Sequence, residues 1–287
     1  VTTAGDAGHP AAVWRLGRRR LPLGGRPLVM GILNLTPDSF YPGSRVAPGA
    51  VADQARAMAA AGADLLDLGA ESSRPGADPV SPDEERHRLL PALAAVRDAC
   101  DLPLTVDTYR AETAAAALEA GADGINDITA GRGDPRMLPL VAEREAGLVL
   151  MHMAGSPRTM QIDPRYDDVV AEVSAFLAER AAAAEAAGVV REAIVVDPGI
   201  GFGKTLAHNL ALLAHLETLG GGRPVLLGAS RKSFIGMLTG AGVEDRLPGS
   251  LAAVAAAFTQ GVAVVRVHDV AATVQTLAVL EAVAAAR

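Results

Sequence analysis

With 287 residues, the chain can bury roughly three quarters of the surface its unfolded form exposes, so its core needs no disulfide staples. Hydrophobic residues make up 50% and charged residues 21%, which excludes a disordered or fibrous chain. The 26 Lys and Arg against 33 Asp and Glu give a formal net charge of −7, with aromatics at only 3%, and so the basic field and stacking platforms of a nucleic-acid binder are missing.

In chain order, residues 1–27 come first as an extension whose Gly and Pro break any period, with a short hairpin expected over 14–23 that closes the bottom of the fold. Arg18-Arg19-Arg20 is followed by no apolar stretch and reads as a solvated turn, not an export signal. From residue 28 to 287 short β-branched or leucine-rich runs alternate with alanine-rich stretches of helical period, the pattern of βα units around a parallel sheet. Strands are expected at 28–33, 64–69, 104–106, 124–126, 147–152, 193–197, 224–228 and 263–268, each followed by a helix, the last over 270–285. Eight such units predict one α/β domain, a single (β/α)8 TIM barrel, rather than an open doubly wound sheet. Ala61-Gly62-Ala63-Asp64 and Ala120-Gly121-Ala122-Asp123 look like one helix-to-strand turn used twice. The apolar runs are strand-sized, well short of the roughly 18 residues of a membrane span. Cys100, the single cysteine, reads as a small core residue, and its lack of a partner favours a cytosolic compartment.

Active sites of such barrels sit at the carboxyl ends of the strands. Nearly every strand here exits into polar residues: Asn34, Glu71 with Ser72-Ser73-Arg74, Asp107, Asn126-Asp127, His152, Asp197, Ser230-Arg231-Lys232, and Arg266 with His268-Asp269. The rim suits a polar, anionic molecule. The cations Arg266, Lys232 and His268 fall in units seven and eight, where barrels often hold a phosphate, and Arg266 between two valines is an expensive charge unless it has a partner. Asp107, Asp197 and Asn126 suit a nitrogen-rich heterocycle that presents N–H donors, with a divalent metal as the competing role. Asp197-Pro-Gly-Ile-Gly-Phe-Gly-Lys-Thr fails both the P-loop and the dinucleotide spacing, which leaves a glycine turn holding Phe202 over the mouth before a helix starts at Thr205 or Leu206. Met151-His152-Met153 lacks a second soft ligand, so the methionines read as apolar walls. Pro37, Asp38, Pro42, Gly43, Arg74, Pro75, Gly76 and Pro79 mark two long polar loops that read as lids.

These residues also spell out a resemblance. Met30-Gly-Ile-Leu-Asn-Leu-Thr-Pro-Asp-Ser-Phe40, Glu71-Ser-Ser-Arg-Pro-Gly76, Asp107-Thr-Tyr-Arg, Ile125-Asn-Asp, Met151-His-Met, Asp197-Pro-Gly-Ile-Gly-Phe-Gly-Lys204, Ser230-Arg-Lys-Ser233 and Arg266-Val-His-Asp269 resemble, in order, the dihydropteroate synthase family. The resemblance implies condensation of a dihydropterin hydroxymethyl pyrophosphate with p-aminobenzoate on the folate route, in a homodimer joined through helices of the later units. It implies that Asp107, Asn126, Asp197 and Lys232 bind the pterin, that Arg266 lies on its face, and that Arg266, His268 and Asn34 hold the pyrophosphate with Mg2+, Asn34 as metal ligand. Ser73, Arg74, Pro75, Phe202 and Ser233 match the aminobenzoate pocket, where sulfonamides compete, and Met151 and Gly228 are further substrate-binding positions. Tyr41-Pro42-Gly43-Ser44 departs from the family's Ser-Asp-Gly-Gly, so the alternative is a paralogue that binds the pterin without efficient synthesis. A Schiff-base aldolase using Lys232 is a third reading of the barrel, and it requires a depressed lysine pKa with a base beside it.

Overall fold

The computed structural model describes residues 12–35, 50–72 and 79–287. A small antiparallel hairpin, β1 (Val13–Leu16) and β2 (Arg19–Pro22), precedes eight parallel strands. These are β3 (Leu28–Asn34), β4 (Leu65–Gly69), β5 (Leu104–Asp107), β6 (Gly124–Asp127), β7 (Gly147–Met151), β8 (Ile194–Asp197), β9 (Leu226–Leu227) and β10 (Val264–Val267). The sheet order β8-β7-β6-β5-β4-β3-β10-β9 follows the chain around a ring. A parallel bridge between Val196 and Val225, with Val196 N donating to Pro224 O at 3.0 Å, closes it. The expected TIM barrel and hairpin are both present. Strand β9 is shorter than expected, because Pro224 has no N–H to add to the ladder and contributes only its carbonyl.

Helices α1 (Val51–Ala60), α2 (Pro82–Ala99), α3 (Ala111–Glu119), α4 (Met137–Glu143), α5 (Val169–Ala186), α6 (Leu206–Ala214), α7 (Leu216–Leu219), α8 (Ser233–Thr239), α9 (Leu247–Thr259) and α10 (Val270–Ala285) connect the strands. Their starts follow local chemistry. Ser81 Oγ accepts from Glu84 N ahead of Pro82, Asp168 accepts from Val170 N and Ala171 N, and Thr205 with His208 forms a reciprocal cap. The turn after α1 and the turn after α3 are the same device, with Gly62 at φ +92 and Gly121 at φ +102. Asp64 Oδ2 then accepts from Val29 N at 2.7 Å and Asp123 Oδ2 from Leu104 N at 2.9 Å, so each turn pins the neighbouring strand.

All residues of β4 and β7 are buried, as expected for strands covered on both faces. The main apolar core lies between sheet and helices. A second cluster fills the lower barrel with Leu28, Met30, Leu65, Val149, Val195, Leu226 and Val264, capped by Trp14 and Leu16 of the hairpin. Arg18-Arg19-Arg20 is therefore not a solvated turn as a whole. Arg19 and Arg20 lie in β2, and Arg19 reaches Asp101 at 2.6 Å and Asp123 at 3.4 Å across the barrel's lower face. Cys100 ends α2 as its C-cap, half-buried against the core. Among the described residues no helix is long and apolar enough to cross a membrane.

Candidate active site

Parallel pairing aligns the strand ends. Asn34 is paired with Gly69, Gly69 with Asp107, and Asp107 with Asn126, while Met151 is paired with Asp197. One rim therefore carries Asn34, Asp107, Asn126, Met151 and Asp197. Gly228 follows β9, Lys232 is the N-cap of α8 with Ser233 after it, Arg266 is inside β10 and His268 just beyond it. The expectations on Ser73, Arg74, Pro75 and the two lid loops lie outside the described residues.

Within the mouth, Arg266 Nε donates to Asp67 Oδ2 at 2.6 Å and Nη2 to Asp107 Oδ2 at 3.1 Å. Asp67, in the middle of β4 and fully buried, also accepts from Thr105 Oγ1 at 2.6 Å and Asn126 Nδ2 at 3.1 Å. Burial works against the Arg266 charge, yet Asp67 and Asp107 hold its pKa above the ordinary value. Burial pushes the Asp107 carboxyl well above the usual carboxylate range against the pull of Arg266, with Asp67, Glu85 and Asp127 adding to the rise. Across the mouth, burial also raises Asp197, opposed by Lys232 and by the Gly199 N–H that donates to Asp197 Oδ1 at 2.7 Å.

Lys232 Nζ donates to Ile200 O at 2.5 Å and sits 4.5 Å from the Phe202 ring centroid. Burial lowers its pKa to about 8, with Asp197 opposing and Arg266 adding to the drop. Two glycines open the space these groups face. A methyl group at Gly228 would lie 3.7 Å from Asp197 Oδ2 and 3.8 Å from Lys232 Nζ; one at Gly69 would lie 3.9 Å from Asp107 Oδ2 and 3.8 Å from Asn34 Oδ1. Ile128, Met151, Met153 and Met160, with Tyr109 and Phe202 packed on them, form the apolar wall expected of the methionines.

Several rim residues face elsewhere. Arg231 is turned into the protein, where Asp269 takes its Nε and Nη2 at 2.8 Å each and the Val243 and Glu244 carbonyls take Nη1. Asp127 is buried and caps the following turn through Thr129 N, Thr129 Oγ1 and Gly131 N. His152 lies beneath the rim with Nδ1 2.9 Å from Lys204 Nζ. Glu71 is bound by Arg110 and Tyr109. His268 is not a cation in this structure: burial, then the Arg266 charge, depress its pKa to about 3, and Ser230 Oγ lies 3.0 Å from its Nδ1.

Three partners were missed by the sequence reading. Asp67 carried the same signal as Arg266, a charge inside an apolar strand, and that argument applied to it would have found the pair. Glu85 sits in a helix start rich in acids, and Lys204 in a glycine turn; neither position announces burial.

Comparison with known proteins decides the family. The sequence profile described as "Pterin binding enzyme" matches residues 30–268. The chain belongs to the pterin binding enzyme family. The dihydropteroate synthase of Neisseria meningitidis serogroup B is 46% identical over 278 residues, covering 94% of this chain and 97% of the relative. The structure is similar to Xanthomonas albilineans dihydropteroate synthase with 4-aminobenzoic acid, at TM-score 0.88 and 47% identity, covering 96% of this chain and 99% of that one. It is also similar to Burkholderia cenocepacia dihydropteroate synthase complexed with 7,8-dihydropteroate, at TM-score 0.87 and 47% identity, covering 96% of this chain and 98% of that one. The mouth of this family member thus gathers two carboxylates, an amide, a lysine and a guanidinium fixed by Asp67 and Asp107.

Proposed function

We propose that the chain condenses 6-hydroxymethyl-7,8-dihydropterin pyrophosphate with p-aminobenzoate to give 7,8-dihydropteroate and pyrophosphate. The observation that carries this reading is one mouth in which Asp107, Asn126 and Asp197 supply acceptors beside Arg266 and Lys232. Asp107, Asn126 and Asp197 take the N–H edge of the pterin, Lys232 donates to its carbonyl and ring nitrogen, and Arg266 lies on its face. The bond between the hydroxymethyl carbon and the diphosphate oxygen breaks, and a carbon–nitrogen bond to the aminobenzoate amine forms as that amine loses a proton. Charge grows on the leaving diphosphate, where preorganised donors act best in a water-poor site. Arg266, Asn34 and His268 are assigned to it. The carbon left behind is stabilised by the electron-rich dihydropterin ring, so no covalent nucleophile is required, in contrast to an aldolase on Lys232. Ser73, Arg74, Pro75, Phe202, Ser233, Met151 and Gly228 complete the substrate contacts in this reading.

A magnesium ion fits the donor set. The Asn34 amide oxygen shares a corner with the Asp107 carboxylate beside the bare Gly69, and magnesium prefers one or two protein oxygens with phosphate oxygens and water. Asn34 would hold it, and when bound it neutralises charge on the diphosphate. Exposed Met237 and Leu238 on α8 and Val279 and Val283 on α10 support a homodimer joined through the later helices, which light scattering tests. The free Cys100 goes with a cytoplasmic setting. Pyrophosphate release should require both substrates and be inhibited by sulfonamides in competition with p-aminobenzoate. Retained binding of the pterin pyrophosphate without turnover would instead support the binding-only paralogue.

A further inference from the structure

Behind Asp107, outside the groups assigned to substrate, lies a buried charge cluster. Glu85 in the first turn of α2 is only 1% exposed, and a carboxylate there is costly without donors. It has three: Thr108 Oγ1 at 2.7 Å, Thr113 Oγ1 at 2.8 Å and Arg110 Nη1 at 2.8 Å. The same Arg110 Nη1 also donates to Glu71, just past the end of β4. Its Nη2 donates to Val80 O at 3.0 Å and to the Tyr109 hydroxyl at 2.8 Å, while that hydroxyl donates to Glu71 Oε1 at 3.0 Å. The guanidinium stands 4.5 Å over the Tyr109 ring, and Arg110 N donates to Thr108 Oγ1 at 3.2 Å.

One cation thus gathers two carboxylates, a carbonyl and a phenol from two successive units. The residues it fixes are the neighbours of Asp107: Thr108, Tyr109 and Arg110 form the turn from β5 into α3, and Glu71 follows Gly69, the strand partner of Asp107. Arg266 holds the Asp107 carboxylate from inside the barrel; this cluster holds its backbone from outside. Only a planar fork with several donors can span the set, which a lysine cannot reproduce in full.

We propose that Arg110, working through Glu71 and Glu85, is a positioning residue for Asp107 and so for the dihydropterin half of the reaction. The inference rests on the proposed function for the identity of the substrate. Loss of folded enzyme alone would lower the maximal rate and leave both KM values unchanged; misplacement of Asp107 changes how the pterin substrate binds. Arg110→Met is expected to raise KM for the dihydropterin pyrophosphate about tenfold and leave KM for p-aminobenzoate within about twofold, with Arg110→Lys recovering part of the loss. Glu71→Gln, a milder change that keeps Glu85 paired, should shift the same KM and be non-additive with Arg110→Met. If Arg110→Met does not fold, Arg110→Lys and Glu71→Gln carry the same comparison. A reduced rate with both KM values at wild type, or additive effects, would overturn the proposal. Should the wild type show no turnover, the function reading fails on its own, and calorimetric binding of the dihydropterin pyrophosphate to the same variants still decides whether Arg110 positions the site.

Discussion

Asp67 and Asp107 hold the same guanidinium, yet their surroundings give them different work. Asp67 is fully buried and satisfies Arg266, Thr105 and Asn126 together. Removing its charge leaves the buried Arg266 with the Asp107 carboxylate alone, so Asp67→Asn should cost about 1–3 kcal/mol in urea unfolding. Asp107 lies at the rim, and Asp107→Ala or Lys232→Ala should abolish turnover while stability changes by no more than about 1–2 kcal/mol. The two rim groups also set a pH window. Asp107 is raised by burial, and in the proposed reaction its ionised form is the stronger acceptor for the pterin, so kcat/KM for the dihydropterin pyrophosphate should fall on the acid side at a pH above the ordinary carboxylate range. Lys232, lowered to about 8, is the stronger donor when protonated, so the alkaline side should fall near that value. Lys232→Arg should move the alkaline fall upward in a pH–rate profile and leave the acid one in place.

At the scale of elements, the glycine turn between β8 and α6 is locked from below. Gly199 has φ +65, and a Cβ there would come 1.9 Å from His152 O, a backbone atom that cannot swing aside. Gly199→Ala should therefore cost more than about 2 kcal/mol and displace Phe202 and the Lys232 contact with Ile200, read out as lost p-aminobenzoate binding. Lys204 fastens the same turn, donating to Phe202 O at 3.0 Å and facing the His152 ring. Burial, then the Lys204 charge, depress His152 to about 3. Its folded pKa lies below the ordinary 6.5, so between the two values the unfolded chain binds more protons and stability is lost as pH falls. His152→Asn keeps an acceptor for Lys204 without titrating, and it should flatten the loss of unfolding free energy between about pH 6 and about pH 4.

For the whole molecule, the eight strands were legible because each is an apolar run closed by a helix of alanine period, and the strand ends fell within a few residues of expectation. The rim was legible for the same reason: strand ends in a parallel barrel share one face. What periodicity does not carry is side-chain direction, so Arg231 and Asp127 were placed at the mouth when both turn inward, and a charge state such as that of His268 depends on burial that no single segment reveals. The hairpin, by contrast, closes the bottom of the barrel as expected, with Trp14 and Leu16 as the plug. Trp14 Nε1 donates to Ala193 O at 3.0 Å, and Leu16 occupies the space that a Cβ at Gly147 would need, 2.2 Å away. The plug fills the end of the barrel opposite the active site. Trp14→Ala should thus cost about 3–5 kcal/mol while kcat/KM stays within about twofold below the melting temperature. Trp14 is also the sole tryptophan, so its fluorescence follows the plug while far-ultraviolet circular dichroism follows the barrel. If the extension and the barrel form one cooperative unit, the two signals share one urea midpoint in the wild type. A fluorescence change at lower urea would mark the plug as releasing first and the barrel as stable without it.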